Sequence, residues 1–177
     1  MNDPRLLWWV DRAAGMVSLL MLTLVLVLGV LSVGRTRQVS SWRAGTQAVH
    51  RELPLAAVLL LLVHIGTAVA DSFVPLRLVD VFVPFRAQWR PVWVGLGALA
   101  VDLLLVVLVT SVLRTRLTPR TWRATHVLAY LLWPLAVGHA LGAGTDTGSV
   151  TGRWVGLACL GAVILAVSRR AQPVAVR

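Results

Sequence analysis

Charged residues are scarce in this sequence: they make up 14% of its 177 residues, whereas hydrophobic residues make up 58%. Soluble domains contain about 25% charged and about 45–50% apolar residues, so this composition excludes an ordinary soluble domain. Cysteine is almost absent as well. The single Cys159 excludes an intramolecular disulfide and leaves the redox compartment undetermined. The composition predicts a membrane protein.

Five segments are long and apolar enough to cross the hydrocarbon core of a bilayer, which is about 30 Å thick and takes about 17–25 helical residues. The connections between them are too short for a separate soluble domain. We therefore expect one domain, residues 1–177, folded as an all-α integral membrane protein with a bundle of about five transmembrane helices. The expected spans are Ala13 to Val33, Leu53 to Ala70, Val92 to Leu113, Thr125 to Leu141 and Val150 to Ser168.

Lysine is absent, and all 17 basic residues are arginines that lie between the apolar segments. The net charge of +10 therefore does not indicate nucleic acid, and we expect membrane lipid as the surrounding partner. Cytoplasmic loops of membrane proteins carry an excess of basic residues. One side of the predicted bundle holds eleven arginines, and the other side holds six, namely Arg5, Arg12, Arg77, Arg86, Arg90 and Arg153. This asymmetry predicts a multi-pass protein of the cell membrane with its N-terminus outside and its C-terminus in the cytoplasm.

The four histidines lie towards the ends of two apolar segments. His50 and His64 are 14 residues apart at the second span, and His126 and His139 are 13 residues apart at the fourth. At 1.5 Å per helical residue, these spacings are about 21 and about 20 Å. Because the second and fourth spans cross the membrane in the same direction, His50 should face His126 and His64 should face His139.

The angular spacing of the histidines is less regular than their depth. On an ideal helix, 14 steps place two residues about 40° apart, whereas 13 steps place them about 140° apart. Pro134 lies between His126 and His139 and cannot donate the usual backbone hydrogen bond. We therefore predict a distortion near Trp133 and Pro134 that turns His139 towards the face of His126.

Two imidazoles at each of two depths suit haem better than zinc. Zinc usually needs three or four protein ligands, whereas a six-coordinate haem needs two axial ligands. We expect two stacked b haems whose iron atoms are held by the pairs His50/His126 and His64/His139. Arg51 and Arg123 lie close to the inner histidines and are candidates for binding haem propionates. Plain anchoring at the membrane surface explains these two arginines as well.

Several segments resemble the ferric reductase-like transmembrane domain. They are WVDRAAGMVSLL from Trp9, HR at His50, TSVLRTRL from Thr110, WRATHVLAYLLWPLAVGH from Trp122 and AGTD from Ala143. That family includes ferric reductases, the membrane half of NADPH oxidases and the haem subunit of the bacterial periplasmic methionine sulfoxide reductase system. The resemblance implies a bundle that holds two b-type haems through the four histidines and passes electrons from the cytoplasmic side outward.

The sequence departs from ferric reductases and NADPH oxidases because it contains no GxGxxG or comparable phosphate-binding loop. We expect a separate electron donor, which is a flavoprotein, a quinol or another membrane subunit, with flavin present only if a partner supplies it. The expected acceptor on the outer side is ferric iron, oxygen or a reductase protein. The connection from Ser72 to Pro91 contains three prolines and large apolar residues, and we expect it to lie along the outer membrane surface and cover the outer haem.

A second class of function is a proton- or metal-ion-coupled membrane transporter component. Asp102 is the one acid deep in a span, and intramembrane acids by default indicate a functional role. In this reading, Asp102 and the histidines relay protons or bind an ion. Such transporters usually show paired broken helices in corresponding halves, a pattern that is not evident here. A purely structural subunit is a third reading, and it leaves the four histidines unexplained.

Overall fold

The computed structural model describes residues 5–32, 40–72, 74–144 and 150–171, and the side chains of residues 40–44 are not described. Within these ranges the chain is entirely helical apart from turns and short connections. The elements are α1 (Leu6–Ser32), α2 (Ser40–Ala70), α3 (Leu78–Phe82), α4 (Pro91–Val112), a 3₁₀ helix (Leu113–Thr115), α5 (Pro119–His126), α6 (Ala129–Ala143) and α7 (Val150–Ala171).

Five stretches of these helices are long and apolar enough to cross a membrane. They are α1, Gly45–Ala70 within α2, Pro91–Thr115, Pro119–Ala143 and α7. The expectation of five helices that are long and apolar enough to span a membrane is therefore confirmed, and they suggest a multi-pass membrane protein. The first helix begins at Leu6 rather than Ala13, so Asp11 belongs to a span and not to the connection before it.

The helices pack as two hairpins and one additional helix. α1 packs mainly on α2, α4 packs mainly on α6, and α7 packs on α1. A buried cluster of Leu19, Trp133, Val137 and Cys159 joins α1, α6 and α7. The indole N–H of Trp133 donates to Thr23 Oγ1 at 2.8 Å, and the Thr23 hydroxyl donates to the Leu19 carbonyl at 2.7 Å. Trp133 therefore fixes α6 against α1 as part of the packed core.

The fourth span is interrupted just after His126. α5 ends at His126, α6 begins at Ala129, and residues 127–128 form a turn. The backbone N–H groups of Leu128, Tyr130 and Leu131 each donate to the carbonyl three residues earlier, at 3.0–3.1 Å. This is the 3₁₀ pattern, in which each residue turns the chain by about 120° rather than the α-helical 100°. The interruption supplies part of the rotation that 13 α-helical steps lack.

The predicted distortion near Trp133 and Pro134 is wrong in its position, because α6 runs without interruption through Pro134. The physical cause still involves the proline. Pro134 has no N–H for the Tyr130 carbonyl four residues earlier, and its ring crowds that carbonyl. The tightened turn lies at 127–131, immediately before and at this carbonyl, so the helix adjusts one turn upstream of the proline.

Candidate functional site

The four histidines form two pairs that face each other between α2 and the α5–α6 segment. The ring centres of His50 and His126 are 6.2 Å apart with an interplanar angle of 75°. The ring centres of His64 and His139 are 6.1 Å apart with an angle of 74°. Two imidazoles thus meet at each of two positions along the bundle, with nearly the same separation and angle in both pairs.

Three of the four rings are oriented by a backbone carbonyl on a neighbouring helix. Nδ1 of His50 lies 3.2 Å from a carbonyl oxygen of α1, Nδ1 of His64 lies 3.0 Å from another, and Nδ1 of His139 lies 2.9 Å from one on α4. A carbonyl oxygen only accepts hydrogen bonds, so these rings carry their proton on Nδ1. The lone pair is then on Nε2, which is the arrangement of histidines that bind metals.

The three carbonyls share a second feature. A glycine follows each of them by four residues and therefore lies on the same face of the helix. The pairs are Asp11 with Gly15, Val25 with Gly29, and Trp93 with Gly97. A Cβ atom at Gly97 would lie 2.6 Å from His139 Nδ1, and one at Gly15 would lie 2.9 Å from His64 Nδ1. Real Cβ atoms essentially never approach so closely, so these two glycines allow the rings to reach the carbonyls.

His126 is the exception among the four histidines. Its Nδ1 is buried and makes no hydrogen bond within the described residues. Its ring stacks on Trp122 at 4.9 Å between centres and an interplanar angle of 22°, and the Arg114 guanidinium lies 5.1 Å from the Trp122 ring centre. An aromatic neighbour thus positions this ring where a carbonyl positions the other three.

His64 has an additional partner that no other histidine has among the described residues. The carboxylate oxygen Oδ1 of Asp11 lies 2.8 Å from His64 Nδ1, next to the carbonyl of the same aspartate. Sequence analysis missed this contact because it placed Asp11 before the first span. The sequence signal for this contact is the spacing of four residues, one helical turn, between Asp11 and Gly15.

Two open cavities flank the His64–His139 pair, and both rings line both of them. The first has a volume of about 740 Å³ including its open mouth, and its wall includes Asp80 and Val81 of α3 and Arg77 just before that helix. The second has a volume of about 1710 Å³ on the same measure, and Asp11 and Arg12 line it. A flat molecule held between the two rings would therefore find space on both sides.

The connection before α4 covers one side of this pair, because α3 lies within it and lines the first cavity. Asp80 is only 2% exposed and accepts hydrogen bonds from the Arg77 backbone N–H and from Nε and Nη2 of its guanidinium, at 3.0–3.3 Å. These hydrogen bonds hold the pKa of the Asp80 carboxyl below its usual value and raise the pKa of Arg77. The ion pair thus stabilises the first turn of α3, because it links Arg77 just before the helix to Asp80 in that turn.

The two arginines suggested for propionates lie at the surface. The Arg51 side chain is 80% exposed, and its Nη2 lies 3.3 Å from Glu52 Oε1. Arg123 is exposed on α5. Neither lines the two cavities beside the His64–His139 pair, so their role stays a prediction. Thr145 and Asp146 of the AGTD segment lie outside the described residues.

The side chains alone do not provide a conventional metal cage. Among the described residues, no group of three or more histidine, cysteine, aspartate or glutamate side chains could hold a metal ion. Asp102 is half-buried in α4 and apart from both cavities. Two facing imidazoles suit a metal that brings its remaining ligands with it, as the iron of a porphyrin does.

Comparisons with known proteins give one match. No curated protein and no solved structure matches the chain. A family model described as a domain of unknown function (DUF8596) matches residues 6–146, a region that contains all four histidines, Asp11 and the three glycines at the rings and ends before α7. Because this match covers well over half of the 177 residues, the chain belongs to the DUF8596 family, a domain of unknown function.

Proposed function

We propose that this protein carries electrons across the cell membrane through two b-type haems, one held by His50 and His126 and the other by His64 and His139. The observation that carries the proposal is the separation of the ring centres, 6.2 Å in one pair and 6.1 Å in the other. Imidazole nitrogens bind transition metals at about 2.0–2.1 Å, and the ring centre lies about 1.1 Å behind that nitrogen, so two imidazoles on opposite sides of one metal have centres about 6.3 Å apart.

The surroundings of the rings support the same assignment. Metal-binding histidines almost always donate their second ring nitrogen to a carbonyl, a carboxylate or water, and three of these four rings have such a partner at Nδ1. Haem, when bound, supplies one-electron redox chemistry, while the protein binds it, orients it and adjusts its potential. The resemblance to the ferric reductase-like transmembrane domain favours this function as well.

The two pairs lie at different depths, which is what a path across the membrane requires. Their members are 14 and 13 residues apart in the sequence, on the order of 20 Å at 1.5 Å per residue. The arginine distribution favours the His64–His139 pair at the outer side and the C-terminus in the cytoplasm. Outward movement of an electron from a negative interior gains about 2.3 kcal/mol at 100 mV.

The partners follow from the direction of transfer. A flavoprotein, a quinol or another membrane subunit would donate electrons near the His50–His126 pair. Ferric iron, oxygen or a reductase protein would accept them near the His64–His139 pair, where the two cavities open. The protein would then act as the membrane subunit of an oxidoreductase system, with flavin present only in a partner.

The decisive experiment is the reduced-minus-oxidised visible spectrum of the purified protein in detergent, combined with pyridine haemochrome stoichiometry. We expect about two b haems per chain in the parent and about one in His64→Ala and in His126→Ala. Asp102→Asn is the matched control, because Asp102 lies in a span but lines neither cavity, and it should keep both haems. A folded, colourless parent would overturn the proposal and favour a transporter component in which Asp102 and the histidines relay protons.

A further inference from the structure

Asp11 makes the two histidine pairs chemically different. The carboxylate lies 2.8 Å from His64 Nδ1, whereas His50 and His139 have only a neutral carbonyl at that atom and His126 has no hydrogen-bond partner at Nδ1 within the described residues. The ring separation is nevertheless the same in both pairs to within 0.1 Å. The difference therefore lies in the partners of the rings and not in the arrangement of the rings themselves.

The location of this contact makes it strong. The side chains of His64 and Asp11 are 21% and 25% exposed, in a helix pair that belongs to the membrane-spanning bundle. Electrostatic interactions weaken in water and strengthen where water is excluded. Arg12, the next residue, lines the same cavity, and its guanidinium carbon lies 4.4 Å from the Trp8 ring centre.

We propose that Asp11 is a positioning residue that lowers the midpoint potential of the haem between His64 and His139, so that the two haems of this protein have different potentials. The proposal rests on the proposed haem function. The Nδ1–H of His64 donates to the Asp11 backbone carbonyl, so the carboxylate beside it acts through its negative charge, which polarises the ring and lies close to the iron site. Ferric iron carries one more positive charge than ferrous iron, so an electron-rich ligand and a nearby anion both favour the ferric state.

The size of the effect follows from the preference for the ferric state. Mutation of a group behind a metal-binding histidine typically alters metal affinity by about 10- to 100-fold, and we take the lower end of this range for the preference between ferric and ferrous iron. A tenfold change in the ratio of ferric to ferrous haem corresponds to 59 mV for a one-electron couple. The outer haem would thus be the stronger reductant of the two, and the membrane potential, rather than a rise in midpoint potential, would favour the step from the inner haem to the outer one.

The test is a spectroelectrochemical titration of the parent, Asp11→Asn, Asp11→Glu and the control Asp102→Asn. Asp11→Asn keeps the size of the side chain and removes its charge. We expect it to raise one of the two midpoint potentials by about 59 mV, a tenfold change, and to leave the other unchanged. Asp11→Glu should keep the lower potential at least in part, and Asp102→Asn should change neither. Two unchanged midpoints in Asp11→Asn would overturn the proposal.

A second measurement needs no change at Asp11. In His126→Ala, the haem that remains should be the one between His64 and His139, and it should titrate at the lower of the two parent potentials. A remaining haem that titrates at the higher potential would contradict the role of Asp11 even if the Asp11 variants fold poorly. Haem stoichiometry separates this failure from that of the proposed function, because a parent without haem refutes both, whereas two haems with unaltered potentials refute only the role of Asp11.

Discussion

The Ser111 hydroxyl donates a 2.6 Å hydrogen bond to the carbonyl of Val107 on α4. These two residues follow Gly97 and Trp93 by 14 positions, the same interval that separates Gly15 from Gly29 on α1. Trp93 and Gly97 contact His139, and the Val25–Gly29 and Asp11–Gly15 pairs contact His50 and His64. At the fourth position of this spacing a serine stands in place of the glycine and its hydroxyl donates to the carbonyl. His126 is the one ring of the four without a carbonyl partner among the described residues.

Ser111→Gly should therefore restore the missing partner of His126. The change removes the shorter of two hydroxyl contacts to the Val107 carbonyl and leaves that of Thr110 at 3.2 Å. It also removes the side chain that stands where the other three positions have glycine. We expect haem at the His50–His126 pair to be retained about tenfold more tightly, the lower end of the usual effect of such partners. The measurement is the rate at which haem is lost to apomyoglobin from His64→Ala, which keeps only this haem, with and without Ser111→Gly.

Ser168→Gly is the matched control for this change. Ser168 also donates its hydroxyl to a carbonyl of its own helix, at 3.0 Å, but on α7. Both variants carry the helix penalty of glycine, about 0.5–1 kcal/mol, and only Ser111→Gly should slow haem loss. Equal rates in the two variants would mean that the Val107 carbonyl does not reach His126.

Gly97→Ala should release the haem between His64 and His139. The added methyl group would lie 2.6 Å from His139 Nδ1, so the ring must leave its carbonyl partner. Gly29→Ala should have a milder effect on the other pair, because its nearest ring atom is 3.4 Å away. Gly156→Ala has open space around the new methyl group and should retain both haems. Haem stoichiometry of the three variants checks this order, and full haem content in Gly97→Ala would refute it.

Hydropathy was sufficient to predict the five long helices, because each apolar run is long enough to cross a bilayer by itself. Spacing was also sufficient to expect which histidines face each other, since 14 and 13 residues place both pairs at matching depths. The structure brings together His50 with His126 and His64 with His139. Their role as ligands stays a prediction that the spectrum will test.

Other features were not accessible from a linear pattern. The interruption after His126 depends on how the helix relieves the strain from Pro134, and a proline constrains a region of several residues and not one position. The carbonyl partners of the rings depend on how α1 is rotated against α2 and α4 against α6, which hydropathy does not determine. The contact between Asp11 and His64 was missed for a simpler reason, because α1 begins at Leu6 rather than Ala13.

Thr23→Val should destabilise the bundle through Trp133. The change keeps the shape of the side chain but removes the acceptor of the indole N–H, which is buried where water cannot replace it. An unsatisfied buried donor costs about 1–3 kcal/mol. Thermal unfolding in detergent should show this loss in the parent and a clearly smaller one in a Trp133→Phe background, where no indole N–H remains. Equal losses in both backgrounds would show that the hydrogen bond does not contribute.

The segment that covers the His64–His139 pair should loosen in acid. The hydrogen bonds from Arg77 lower the pKa of Asp80 in the folded protein below its ordinary value of 3.8. A group with a lowered folded pKa contributes stability that is fully present above its ordinary pKa and is lost as the pH falls through the folded pKa. Hydrogen exchange of residues 78–82, corrected for the intrinsic pH dependence, should therefore be constant from neutral pH to about pH 5 and faster below pH 4.

In Asp80→Asn the segment should exchange faster at neutral pH and show no further acceleration in acid, because the group that titrates is gone. If Asp80→Asn still exchanged faster in acid, the acid response would belong to another carboxyl group.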